Sequence, residues 1–142
     1  MDLSELLRKG LVEEFKLGPD QVGKALENAE KSLKTAENIL KIEEWGAAHS
    51  SAYTAMLHTG RALMFSKGYR PRAQDHHVAV VEFSKIYEKK YTAEVLAAFD
   101  KGRRRRHEFQ YDDVDAISPS QARNIVESAN AFVSKTKEIL KM

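Results

Sequence analysis

The feature that most constrains the fold is an apolar stripe with helical spacing, which follows Pro19. Its members recur at steps of four and three residues: Val22, Leu26, Ala29, Leu33, Ala36 and Leu40. This spacing keeps apolar side chains on one face of an α-helix, and charged residues occupy much of the rest of the segment. Pro19 suits the first helical turn, where its missing N–H has no partner to lose. The stripe therefore predicts a long helix that packs in a bundle.

Similar periodicity predicts helices along nearly the whole chain, separated by short breaks. The first helix is short, is capped by Asp2 and carries Leu3, Leu7 and Leu11, and the third runs from about Trp45 to Ser66 with Trp45 facing inward. The fourth helix carries apolar and aromatic residues: Val78, Val81, Phe83, Ile86 and Tyr87. Thr92 caps the fifth helix, and the last one begins at a capping box, Ser118-Pro119-Ser120-Gln121. Residues 67–72 are the only clear interior loop. We therefore predict an all-α fold, an up-and-down bundle of about five to six helices. A chain of 142 residues suits one hydrophobic core, so we predict that residues 1–142 form a single domain.

Composition limits the classes of protein to which this chain can belong. The formal net charge of +2 carries no global nucleic-acid signature, so any basic site must come from local clustering. The absence of cysteine excludes disulfides, thiol catalysis and cysteine-containing zinc sites. The amino terminus does not resemble a signal peptide, and no stretch is apolar for long enough to span a membrane. These features predict a cytoplasmic protein without a membrane partner.

A dense cationic block, residues 101–107, is the most informative segment for chemistry. On a helical wheel of about 100° per residue, Arg103 and Arg106 fall within roughly 40° of Phe99. Arg104 points about 140° and Arg105 about 120° away from that apolar position. An arginine in the apolar register must find an anion, a carboxylate or a hydrated cleft, because a buried unpaired charge is costly. Arg106 therefore belongs either to a functional site or to ordinary structure, which would be a salt bridge to one of Asp112, Asp113 and Asp115 or an exposed helix end.

The same block carries a resemblance to a known family. Arg106, His107 and Tyr111 resemble the motif of the HEPN superfamily, an Arg and a polar residue followed by three variable residues and a His near the end of a bundle helix. Tyr111 stands where that last His is expected. The segments 68–83 and 47–62 are also similar to the corresponding family segments, so the likeness covers about residues 20–140.

The resemblance implies a metal-independent ribonuclease, in which Arg106 holds the scissile phosphate and a histidine moves protons during attack by the RNA 2′-hydroxyl. Tyr111 exchanges protons poorly at neutral pH because tyrosine has a pKa near 10, and His107 is the remaining proton carrier. The resemblance also implies a homodimer with facing motifs, and a minimal nucleotidyltransferase as the antitoxin partner of a toxin. The alternative is a non-catalytic HEPN module that binds a nucleotide, an RNA or a protein partner in the same cleft.

Further candidate contacts to RNA lie in and near the interior loop. Arg70 and Arg72 could bind phosphates and Tyr69 could stack on a base, and Arg103 could add a phosphate contact from the cationic block. A basic aromatic loop is also an ordinary surface feature, so both readings stay open. None of the five histidines forms an i, i+4 pair for a shared metal, and we predict no metal site and no cofactor.

Overall fold

The computed structural model describes residues 1–16, 18–72, 76–111 and 117–142, the side chains of residues 106–111 excepted. The helices are α1 (Leu3–Arg8), α2 (Pro19–Lys41), α3 (Trp45–Ser66), α4 (His76–Lys85), α5 (Ala93–Tyr111) and α6 (Pro119–Leu140), and the two short strands are β1 (Val12–Glu14) and β2 (Tyr69–Pro71). The predicted all-α helical bundle is confirmed, with a small two-stranded ladder added to it. Within the described residues, no helix is both long enough and apolar enough to cross a membrane.

The core lies where α3 packs against α2, α6, α4 and α5. The stripe predicted on α2 faces this core, since Leu26, Ala29, Leu33 and Ala36 are buried and Val22 and Leu40 are partly buried. Tyr53, Met56 and Leu63 of α3 are fully buried at the centre. The small residues of α3 let its neighbours approach closely, which is why this helix is covered on several sides.

The predicted helix starts are confirmed by their capping hydrogen bonds. Asp2 caps α1 by accepting a hydrogen bond from the backbone N–H three residues on. The Thr92 hydroxyl accepts from the N–H of Val95 at 3.2 Å. The Ser118 hydroxyl accepts from the N–H of Gln121 at 3.2 Å, and the Gln121 side chain accepts from the Ser118 N–H at 2.8 Å. These bonds satisfy N–H groups that a helix leaves without an internal partner.

Two predictions about the amino-terminal segment and the interior loop were wrong. The first helix ends at Arg8 and does not extend to Leu11. The interior loop contains a strand, β2, which pairs antiparallel with β1 so that Glu13 lies opposite Arg70. Gly68, with φ of +86°, turns the chain from α3 into this strand. The pairing joins segments more than fifty residues apart, and local sequence patterns carry no information about such a partner.

Smaller differences concern three apolar or aromatic positions. Trp45, predicted to face inward, is only partly buried, and the Arg123 guanidinium lies over its ring at 5.0 Å. Ile86 and Tyr87, assigned to the fourth helix, follow its last residue, Lys85, and pack against the core from a turn.

Candidate functional site

Helix α5, which carries the cationic block, packs tightly across α3 at Gly102. A β-carbon built on Gly102 would lie 2.8 Å from Cδ1 of Ile125 in α6 and 3.2 Å from Cδ1 of Tyr53 in α3. Only a glycine fits this approach without movement of its neighbours. Nearer the start of α5, Phe99 contacts Tyr53 and also approaches Gly60, later in α3. The two helices therefore run antiparallel, and the carboxyl end of α5 lies toward the amino end of α3.

The predicted motif occupies this carboxyl end of α5. Position 106 follows Gly102 by one helical turn, and positions 107 and 111 are one turn apart because the backbone is helical through Tyr111. The side chains of Arg106, His107 and Tyr111 lie outside the described residues. Asp112, Asp113 and Asp115, the alternative partners for Arg106, lie outside them as well.

The first two arginines of the block share one carboxylate with a lysine of α4. Asp100 accepts from Lys85 at 3.1 Å, from Arg104 at 3.3 Å and from Arg103 at 3.5 Å. Burial tends to raise the pKa of Asp100, but the Lys85 hydrogen bond and the three positive charges hold that pKa below its usual value. The side chain of Arg103 is 29% exposed and that of Arg104 is 67% exposed, in agreement with the wheel.

Arg105 is more buried than the helical wheel predicts, since the wheel places its side chain away from the apolar face that contains Phe99. It is partly buried and lines a cavity with His49 of α3. The reason is that α5 has a second covered face: Ala98, Gly102 and Arg105 follow one another at helical spacing and face α6. The helical-wheel prediction was based on the face that contains Phe99 alone, so it did not include the face toward α6.

His49 is a candidate that sequence reasoning missed. It is 3% exposed, and burial together with the charge of Arg105 lowers its pKa to about 4. Its Nδ1 atom is buried and has no hydrogen-bond partner among the described residues. The spacing of the histidines along the chain tests only for paired metal ligands within one helix. His49 is instead brought to Arg105 by packing between helices.

Tyr53 and His77 form a second interhelical pair that the sequence did not reveal. The Tyr53 hydroxyl lies 2.7 Å from Nδ1 of His77 in α4, and the two rings stack with centroids 5.6 Å apart. Tyr53 is fully buried and follows His49 by one turn of α3. His49 and Tyr53 therefore lie one turn apart on the side of α3 that packs against α5.

Another basic cluster joins α3 to the start of α4. Burial first, and then the charge of Arg61, lowers the pKa of both His58 and His76 below the usual value. Burial also lowers the pKa of Arg61, and the guanidinium lies 5.7 Å from the centre of the Phe65 ring. Within the described part of the chain, no three His, Cys, Asp or Glu side chains converge as a metal site would require.

The candidate RNA contacts of the interior loop already have protein partners. Glu13 of β1 binds Arg70 at 2.6 Å and Arg72 at 3.3 Å, through different carboxylate oxygens. The Arg70 guanidinium also lies 3.8 Å from the centre of the Phe15 ring. Tyr69 packs on Phe83 and the core. These contacts give all three loop residues a structural role beside any role toward RNA.

Comparisons with known proteins relate this architecture to other chains. The family model described as the HEPN domain matches residues 22–139, which cover α2 to α6 almost completely. A relative from Methanocaldococcus jannaschii, named "Putative toxin MJ0142", is 27% identical over 122 residues. That alignment covers 84% of this chain and 82% of the relative. The family match includes the cationic block and the helices packed around it.

Proposed function

Since the chain belongs to the HEPN domain family, we propose that it is a toxin-like protein that binds RNA at the carboxyl end of α5 and cleaves it without a metal ion. The observation that carries the proposal is the packing of α5 on α3, with Gly102 tight against Tyr53 and a helical backbone that continues through the motif. The name of the relative from Methanocaldococcus jannaschii supports the toxin-like role. In this proposal, residues 1–142 form one HEPN-like unit, which includes β1 because it pairs with β2.

Each motif residue has a role that fits its chemistry. The guanidinium of Arg106 stays charged and can hold a phosphate through two parallel hydrogen bonds. His107 accepts the proton of the 2′-hydroxyl as the 2′-oxygen bonds to phosphorus, because imidazole exchanges protons near neutral pH. The bond from phosphorus to the 5′-oxygen breaks, and the protonated His107 returns its proton to that oxygen, while the Tyr111 hydroxyl donates a hydrogen bond to the phosphate. The products are a 2′,3′-cyclic phosphate and a 5′-hydroxyl.

Two copies would complete the site. An isologous dimer that pairs the ends of α5 sets the two motifs face to face and doubles the positive charge along one RNA strand. A minimal nucleotidyltransferase is the partner proposed to restrain the toxin.

A second candidate function is a non-catalytic module that binds an RNA, a nucleotide or a partner protein with the same residues. Tyr111 favours it, because tyrosine in place of the family's last histidine removes a proton carrier that works near neutral pH. The two candidates share Arg106 and differ in whether a bond breaks.

The test incubates the purified protein with a labelled single-stranded RNA in the presence of EDTA. Cleavage that leaves cyclic phosphate ends, and that stops when the RNA is replaced by DNA of the same sequence, supports the ribonuclease. Binding without any cleavage selects the second candidate. Cleavage that needs an added divalent cation contradicts the proposed mechanism.

A further inference from the structure

A small cavity of about 90 Å³ lies between α3, α5 and α6, next to the proposed RNA site. Its lining includes His49, Lys101, Gly102, Arg105, Gln121 and Asn124. We call it the His49 cavity. Its volume exceeds the 10–15 Å³ or so that one water molecule requires, so a group of several atoms fits.

The polar lining of the His49 cavity suits an anion. Lys101 and Arg105 contribute positive charge, and the side-chain amides of Gln121 and Asn124 contribute N–H donors. Among the described residues that line the cavity, none carries a carboxylate. Lys101 and Asn124 are exposed, so they stand at the mouth, where a ligand can enter from solvent.

The inner wall of the cavity includes a buried polar atom without a hydrogen-bond partner among the described residues. Nδ1 of His49 is buried without a hydrogen bond to any described residue, in a side chain that is 3% exposed. A buried polar group left unpaired costs about 1–3 kcal/mol, and native proteins rarely keep one without a reason. An imidazole that carries its proton on Nδ1 would donate it to an oxygen in the cavity.

Gly102 also lines the cavity, and it lets α5 approach α3 and α6 closely. A β-carbon there would press on Ile125 and Tyr53, two residues that close α5 against its neighbours. Gly102 therefore holds α5, with Lys101 and Arg105 on it, close to the helices that form the rest of the lining.

We propose that the His49 cavity binds a phosphate group, and that it forms a second phosphate subsite beside the motif in α5. Identifying the group as a phosphate of the RNA chain rests on the proposed function. Binding of phosphate itself does not, because it depends only on described residues around the cavity. Arg105 and Arg106 are consecutive, so one strand could engage the cavity and the motif together.

The test uses inorganic phosphate, adenosine 5′-monophosphate and adenosine as probes, with ¹⁵N signals of the His49 ring followed by NMR. The two phosphate-bearing probes should shift these signals and adenosine should not. Lys101→Ala should weaken phosphate binding at least fivefold, and Asn124→Ala should weaken it measurably. Lys90→Ala, which removes the same charge from an exposed site outside the cavity, is the matched control and should change affinity less than twofold.

Several outcomes would overturn the subsite. Equal losses from Lys101→Ala and Lys90→Ala would leave only nonspecific charge, and adenosine binding as strongly as its monophosphate would make the cavity a base pocket. Phosphate binding that is lost in Arg106→Ala but kept in Lys101→Ala would place the anion at the motif alone.

Phosphate binding in the cavity without RNA cleavage would support the subsite and would contradict the proposed ribonuclease activity. Lys101, Asn124 and Lys90 are exposed, so their alanine variants should fold normally, which circular dichroism checks.

Discussion

A β-carbon built on Gly60 would lie 2.4 Å from Cγ1 of Val80, so α3 and α4 approach each other closely at these two residues. Alanine normally stabilises a helix interior by about 1 kcal/mol relative to glycine. Here the steric conflict should dominate, because valine is branched at its β-carbon and cannot swing away. Gly60→Ala should therefore lower the free energy of unfolding by about 1–3 kcal/mol in urea titrations.

The matched control for that substitution is Gly23→Ala in α2. Its added carbon would meet only the terminal methyl of Met142, at an ordinary 3.8 Å. The control should raise the free energy of unfolding by about 0.5–1 kcal/mol. A stabilised Gly60→Ala protein would mean that the two helices separate easily.

Arg106→Ala and Arg104→Ala compare two neighbouring arginines with different predicted roles. If Arg106 holds a phosphate, its loss should abolish cleavage or remove about 1.5–3 kcal/mol of RNA binding while the protein stays helical. Arg104 is 67% exposed and pairs with Asp100, so its loss should have little effect on either. Filter binding and a cleavage assay measure both. Equal losses of affinity would contradict the site, and a lower melting temperature with unchanged affinity would make Arg106 a salt-bridge residue.

Glu13→Gln tests whether Arg70 and Arg72 contact RNA, since Glu13 binds both of them. Removal of this carboxylate frees the two guanidinium groups for phosphates. RNA affinity should rise roughly two- to fivefold, and the slope of log K against log salt should steepen by about 1. Glu14→Gln makes the same charge change at the next, exposed position and is the control. Equal gains from both substitutions would argue against any specific contact by these arginines.

His49 should make folding sensitive to acid. Its pKa of about 4 in the folded state lies below the value of about 6.5 in an unfolded chain, so the unfolded state binds the proton more readily. Its contribution to stability is therefore complete above pH 6.5 and is lost as the pH falls toward 4, by about 3 kcal/mol in total.

Urea unfolding at pH 7, 5.5 and 4.5 measures this loss. His49→Gln should flatten the dependence over that window, while the lowered pKa values of His58 and His76 leave a residual slope of the same sign. Asp100 acts in a lower window, because its pKa lies below the ordinary carboxyl value. An unchanged slope in His49→Gln would show that His49 does not titrate in this range.

The proposed dimer predicts the sedimentation behaviour of the purified protein. At micromolar concentration it should sediment as a species of about twice the 16.1 kDa chain mass. If the interface contains the ends of α5, Arg106→Ala should alter the monomer–dimer equilibrium and Arg104→Ala should not. Sedimentation as monomer alone would contradict a composite site.

The sequence by itself determined the helices and most of their starting points, because those depend on residues three or four positions apart. The apolar stripe of α2 and the capping box at Ser118 and Gln121 are local patterns, and both are confirmed. The family was also readable from one short motif and the order of the helices, and the HEPN match over residues 22–139 confirms it. The functional roles of Arg106, His107 and Tyr111 remain predictions.

Only the tertiary structure decided which distant residues meet. Glu13 binds Arg70 and Arg72 across the pairing of β1 with β2, which no local sequence pattern indicates. The segment 67–72, predicted as a loop, therefore contains a strand. His49 meets Arg105 because α5 is covered on two faces, and a wheel drawn for one apolar face cannot show the second. Contacts of this kind depend on how helices cross and how closely a glycine lets them approach, and both are properties of the packed core as a whole.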